Sequence, residues 1–282
     1  QRDTSGHGTL LASISAGSYT DGYVGVAPGA ELLVVKLKQS KQYLRDFFLI
    51  KDDVPAFEES DIMLALRFLE DYAIRLGKPL IIIFGLGSAN GSRTGASPLA
   101  EMMENLTKKP NISVITCMGN EANNKCHYKG TVMSALVPDV MEINVDGTGK
   151  GFTMEIWADS LDILSVSIES PSGEYVPRIP ARMGASMEYT FLYEGSTVTV
   201  DYQITENVAG MEVIFVRLKT PVEGTWKFYI YSLTNIKGSY NAWLPLKQFS
   251  GQDIYFLKSD PDTTLTVPAA ADGVISVGAY NH

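Results

Sequence analysis

Three short runs, 31–38 (ELLVVKLK), 79–84 (PLIIIF) and 112–117 (ISVITC), are rich in β-branched and aliphatic residues at consecutive positions. A strand reads that way when both of its faces are covered, as in a parallel sheet beneath helices. Between the first two runs, Ile62, Leu66, Leu69 and Ala73 recur at helical spacing, with Glu58, Glu59 and Asp61 where a helix carries its positive end. Ser97 followed by Pro98 predicts a second helix start, because the hydroxyl can cap the turn and a proline there loses no hydrogen bond. Leu10, Leu11 and Ile14 form an apolar face that begins a further helix. Strand and helix thus alternate over 1–128, which predicts an α/β domain with a parallel sheet.

From about residue 130 the period changes to two. The stretches 151–157, 197–202, 211–217 and 225–231 alternate apolar and polar side chains, and Asp146-Gly147, Pro171-Ser-Gly173, Glu223-Gly224 and Lys237-Gly238 separate them as turns. This predicts an all-β sandwich, jelly-roll-like, inserted over 129–262 with a core around Trp157, Phe191, Phe215, Trp226 and Tyr229. Residues 265–268 and 273–278 return to buried-strand character, so 263–282 is expected to rejoin the α/β domain.

The 282 residues are 45% hydrophobic and 20% charged, as in a folded globular protein. A net charge of −9 gives no electrostatic basis for gripping phosphate backbones, so nucleic acid is not an expected partner. The apolar run 80–87 is too short to span a bilayer. Cys117 and Cys126 are the only cysteines, too few for a disulfide framework or a thiolate zinc site, and plain thiols are expected. The opening Gln1-Arg2-Asp3 has neither Met nor an apolar signal segment, which places any targeting signal upstream.

The sharpest chemical signal is Asp3-Thr-Ser-Gly-His-Gly-Thr9, in which glycines on both sides leave His7 open to close backbone approach at a helix start. Taken alone it is equally a surface loop histidine. It is followed in order by Gly25-Val-Ala-Pro-Gly29 leading into Leu33-Val-Val-Lys36, and by Met118-Gly-Asn-Glu-Ala122. Together these blocks resemble the subtilisin-like serine proteases over 1–127 and 263–282. The resemblance implies a parallel sheet with helices on both faces. It implies His7 as the general base, Asn120 as the side-chain donor of an oxyanion hole, and Gly85, Leu86, Gly87 and Gly119 as substrate-binding backbone beside the specificity pocket. His7 and Asn120 should then lie on one side of the sheet, at the carboxyl ends of its strands. Where Gly85 stands, the family usually has Ser.

The family's catalytic Asp block and its Gly-Thr-Ser-Met-Ala-x-Pro nucleophile block have no counterpart in these residues, so the chain by itself is expected to be inactive. Asp3 is too close to His7 to serve as the acid. Ser97 falls before Asn120 and reads as a helix cap, and Ser186 continues into a strand. The sandwich position and Gly119-Asn-Glu-Ala-Asn-Asn124 with His127-Tyr128 also resemble the clostridial germination-type subtilases. A protein or peptide substrate and the protein's own propeptide are the implied partners, in a secreted, cell-envelope or spore-associated setting, with no cofactor or metal implied. His127 and His282 read as surface or loop residues, and Asp52-Asp53 and Asp260-Pro-Asp262 as solvated acids. Two other readings stay open: a pseudoprotease scaffold, and a β module that binds carbohydrate or protein independently.

Overall fold

The computed structural model describes residues 3–280 except 160, 183, 205–209, 235 and 237. Gln1, Arg2, Lys237 and His282 lie outside the described residues. The first part of the chain forms α1 (His7–Ala16), α2 (Gln42–Phe47), α3 (Glu59–Leu76), β1 (Leu80–Phe84), α4 (Pro98–Thr107) and β2 (Ile112–Cys117). Then follow β3 (His127–Thr131), β4 (Asp139–Asp146), β5 (Gly151–Asp159), β6 (Leu164–Glu169), β7 (Tyr175–Ile179), β8 (Ser186–Thr190) and β9 (Thr197–Ile204). The chain ends with β10 (Met211–Lys219), β11 (Gly224–Ser232), β12 (Ser239–Trp243), β13 (Asp253–Phe256) and β14 (Ile275–Val277).

The parallel sheet has the order β1-β2-β14, so the last strand returns beside the second. The helical spacing in the sequence is what packs it: Ile62 and Leu66 of α3 and Leu99, Met103 and Leu106 of α4 close over Ile82 and Val114. The Ser97 hydroxyl accepts from the Ala100 N–H at 3.1 Å, capping α4 as its sequence predicts. Gly77 ends α3 in the left-handed region at φ 62°, which glycine enters without strain. Among the described residues, α3 and α4 cover one face of the sheet only. On the other face Ile81, Ile83, Ile275 and Val277 are 49–65% exposed, so the expectation of helices on both faces is corrected. The run 31–38 forms no strand and joins no ladder among the described residues. Half-buried Leu33, Val35 and Leu37 alternate there with exposed Leu32 and Val34, because no described strand lies alongside.

The antiparallel strands form two sheets, β3-β12-β5-β10-β9-β8 and β13-β4-β11-β6-β7. One core runs between them, from Met141, Ile143 and Val145 through Phe152, Met154 and Ile156 to Phe191, Ile214, Val216, Trp226 and Phe228. Trp226 and, just past β8, Phe191 lie inside as expected, but period two puts Trp157, Phe215 and Tyr229 on the opposite faces. A one-residue offset exchanges the two faces of a strand, and on β5 and β10 both faces are buried, which hides the parity in the sequence. Phe215 stacks on Phe47 of α2 at 5.8 Å and meets Phe48 edge-on at 6.0 Å, so α2 covers the outer side of the six-stranded sheet. Trp157 packs with Val213 and Trp243 in a separate small cluster. Tyr229 faces outward and donates to Glu169 at 2.5 Å. Among the described residues no helix is long and apolar enough to cross a membrane.

Candidate active site

His7 is the first residue of α1, and the turn before it is tied down by Asp3. One carboxylate oxygen accepts the N–H groups of Ser5 (2.9 Å) and Gly6 (3.0 Å), and the other accepts the N–H (3.1 Å) and hydroxyl (2.6 Å) of Thr9. These bonds, the Thr9 hydroxyl first, hold the Asp3 carboxyl well below the usual carboxylate range. Asp3 therefore ties the turn before α1, whose N-cap is Gly6, to its first turn at Thr9, and both its oxygens are occupied by these bonds. Contrary to the amphipathic reading, Leu10 and Ile14 are exposed, and only Ala16 of α1 is buried.

The ring of His7 reaches the end of β1, where Nε2 lies 3.0 Å from the Gly85 carbonyl oxygen. A carbonyl can only accept, so the Nε2 proton is on the histidine in this arrangement. A Cβ on Gly85 would meet Leu11 Cδ1, the tip of a flexible α1 side chain, at 2.4 Å, so a larger residue there requires Leu11 to move aside.

The exit of β2 is built around Thr266. Its N–H donates to the Met118 carbonyl at 3.0 Å, while Met118 donates to Val277 of β14, also at 3.0 Å. Thr266 is buried, and its side chain fills the gap between Gly87 and Gly119. A Cβ would fall 2.3 Å from it at Gly87 and 2.6 Å at Gly119. Gly119 also has φ 88°, a second reason for glycine. Thus 85–87 and 118–119, singled out separately in the sequence, face one another across a single threonine. The short run 265–268 makes this contact through an isolated bridge, Ser88 with Val267, rather than as a strand.

Asn120 follows on the exposed side of this turn, and like His7, Gly85, Leu86, Gly87 and Gly119 it borders a wide, open depression that also runs past α3, the 31–38 run and Phe249. Phe84 pairs with Thr116, so the residues that follow β1 and β2 leave the sheet at the same, carboxyl, end. Glu121 is buried and accepts from the Asn124 side chain at 2.8 Å, holding the loop after Asn120.

His127, expected at the surface, is fully buried on β3. It stacks on Trp243 at 5.0 Å, and its ring nitrogens face the Asp260 carbonyl (3.1 Å) and Asn241 Oδ1 (3.0 Å). A polar ring inside a core is tolerated when its nitrogens are bonded in this way. Ser186 begins β8, at the edge of the six-stranded sheet. Asp52 pairs with Lys150, and Asp260 accepts the Asp262 N–H at 2.8 Å. Cys117 and Cys126 are free thiols, and burial pushes the Cys126 thiol up to about 11. Among the described residues no group of three or more His, Cys, Asp or Glu could hold a metal ion. Two residues near this region escaped the sequence reading: Thr266, and Glu155, a buried carboxylate on β5.

The sequence matches the Subtilase family, Peptidase S8, over residues 1–282. Among solved structures, that of the Clostridium perfringens CspB protease is similar, with a TM-score of 0.83 and 26% identity over 99% of this chain. The chain spans 56% of that CspB chain, little more than half its length. No curated protein matches it.

Proposed function

The chain belongs to the subtilase family, and from that premise we propose that it carries the general base and the oxyanion donor of a serine endopeptidase. The observation that carries this reading is His7, held 3.0 Å from Gly85 at the carboxyl end of β1, with Asn120 exposed just beyond the adjoining carboxyl end of β2. His7 takes the proton of a serine hydroxyl and returns it to the leaving amine. To do so the ring first gives up its bond to Gly85, since the nitrogen that faces that carbonyl already carries a proton. Asn120 donates to the tetrahedral oxyanion, and Gly85, Leu86, Gly87 and Gly119 pair with the substrate backbone. The Asp and Ser that complete the triad come, in this proposal, from sequence beyond these residues, and a fragment without them is inert.

The antiparallel region 129–262 is proposed as a module inserted between 1–128 and 263–282 of the catalytic domain. Its pairing supports a jelly-roll-like reading in part: β11 lies between β4 and β6, and β10 lies beside β5, as when a long hairpin wraps back on itself. The β6-β7 and β8-β9 hairpins depart from that pattern.

The test is labelling of the full-length protein with a serine-directed fluorophosphonate, together with hydrolysis of chromogenic peptides. Stoichiometric labelling that abolishes cleavage is expected. A full-length protein that neither labels nor cleaves, and has no Asp or Gly-x-Ser block in its flanks, is a pseudoprotease scaffold instead.

A further inference from the structure

The segment leaving the parallel sheet is bolted into the antiparallel one. After Gly87, Ser88 exchanges both backbone hydrogen bonds with Val267, at 3.0 and 2.9 Å. Three residues later Gly91, at φ 103°, donates its N–H at 2.9 Å to Oε2 of Glu155, which sits buried on β5. The indole N–H of Trp157 donates to the same oxygen at 2.9 Å, and the Asn90 side chain also bonds this carboxyl. From the other side, Arg93 stacks 4.7 Å over the Trp243 ring and donates to the carbonyls of Ala89 (2.7 Å) and Gly91 (2.9 Å).

A buried carboxyl is unfavourable unless its oxygens are bonded, so its partners are what account for it. Burial raises the Glu155 carboxyl above its ordinary range, while the bonds from Gly91 and Trp157 and the charge of Arg93 oppose that rise. None of these groups touches His7 or Asn120. What they fix is the backbone that continues from 85–87.

We infer that Glu155 is a positioning residue for the peptide-binding segment 85–87: by anchoring Gly91, and with the Ser88–Val267 bridge, it sets where the substrate-pairing groups stand. This rests on the peptidase reading. The antiparallel sheets are then one wall of the cleft, and their removal disorders substrate pairing as well as a neighbouring fold.

In the full-length protein, Glu155→Gln keeps an oxygen toward Gly91 and Trp157 and turns its NH₂ toward Asn90, whose amide can present its oxygen. Glu155→Ala removes the anchor. The alanine variant is expected to raise KM for a tetrapeptide anilide by about tenfold to a hundredfold, as displaced binding geometry does. Its rate on p-nitrophenyl acetate, which has no backbone to pair, stays within about twofold, and the glutamine variant restores the peptide KM. Equal loss on both substrates, or a glutamine variant as poor as alanine, overturns the inference. Amide exchange gives a readout independent of activity. Glu155→Ala should speed exchange at Ser88 and leave Ala100 of α4 unchanged. If the wild-type protein cleaves neither substrate, faster exchange at Ser88 keeps the anchoring and discards the peptidase reading, whereas unchanged exchange discards the anchoring.

Discussion

With alanine at His7, the full-length protein is expected to lose about 10⁶ in kcat for peptide hydrolysis, the size of the loss that removing the triad histidine causes in subtilisin, a member of the same family. The loss is that large because the triad works as a unit: without a base the serine hydroxyl keeps its proton, and the remaining acid orients nothing. Asn120→Ala is expected to cost about 10² to 10³, again the subtilisin scale for one oxyanion donor, with KM nearly unchanged because the oxyanion exists only in the transition state. The two variants therefore separate by roughly three orders of magnitude or more on one peptide substrate. A His7→Ala protein that keeps a tenth of the wild-type rate would remove His7 from the chemistry. Equal effects of the two substitutions would mean that the donor had been misassigned.

The second large effect concerns stability. Glu212 on β10 points between the two antiparallel sheets, is 1% exposed, and accepts the Leu164 N–H at 2.8 Å through one oxygen. Its other oxygen has no hydrogen-bond partner among the described residues. Burial, aided by the negative charge of nearby Asp162, pushes its carboxyl from 4.5 up to about 7. The folded protein thus prefers Glu212 protonated. Relative to the unfolded chain, this group's contribution to stability is whole below pH 4.5, falls as pH rises from there to 7, and is lost above. Each pKa unit is worth about 1.4 kcal/mol, so the shift from 4.5 to about 7 corresponds to about 3 kcal/mol at pH 8. Glu212→Gln keeps an oxygen for Leu164 and carries no charge. The variant should match the wild type at pH 4 and melt several degrees higher at pH 8. Melting curves whose separation does not grow between those pH values would show that Glu212 is not buried as an unpaired acid.

Much of the framework was legible because its signals are local. The stripe Ile62, Leu66, Ala73 and the Ser97-Pro98 start depend on one helix each, and β1, β2, β5, β9, β10 and β11 depend on runs of a few residues. What the sequence hid depends on neighbours far along the chain. The run 31–38 has strand composition but no described partner strand. Trp157 and Phe215 alternate correctly, yet the outer face they occupy is covered by distant residues: Phe215 by α2, whose six residues carry no strong pattern of their own, and Trp157 by Trp243. His127 gave no sign of burial because its bonding partners, Asn241 and Asp260, lie more than a hundred residues away. For the site, glycines were the readable part. Gly85, Gly87 and Gly119 stand where backbone must pass close to something, but Leu11 and Thr266, the side chains that crowd them, cannot be deduced from spacing. Glu155 stands at a polar position of an alternating strand, so nothing in the sequence marked it as buried.

The unequal interiors of this chain set the order in which it comes apart. The space between the antiparallel sheets is sealed by fully buried side chains from Met141 to Phe256, whereas the parallel sheet is covered on one face and rests on a short list from Ile62 to Val114. Opening free energies follow the apolar contacts that each unit would lose. Cooperative loss of β1, β2 and β14 should therefore precede that of β4, β5, β10 and β11, and amide protection should fall into two tiers, with the catalytic candidates in the weaker one. Uniform protection across both sheets would contradict this. The candidate residues His7 and Asn120, on this view, stand on the less durable part of the described structure, beside the sheets expected to open last.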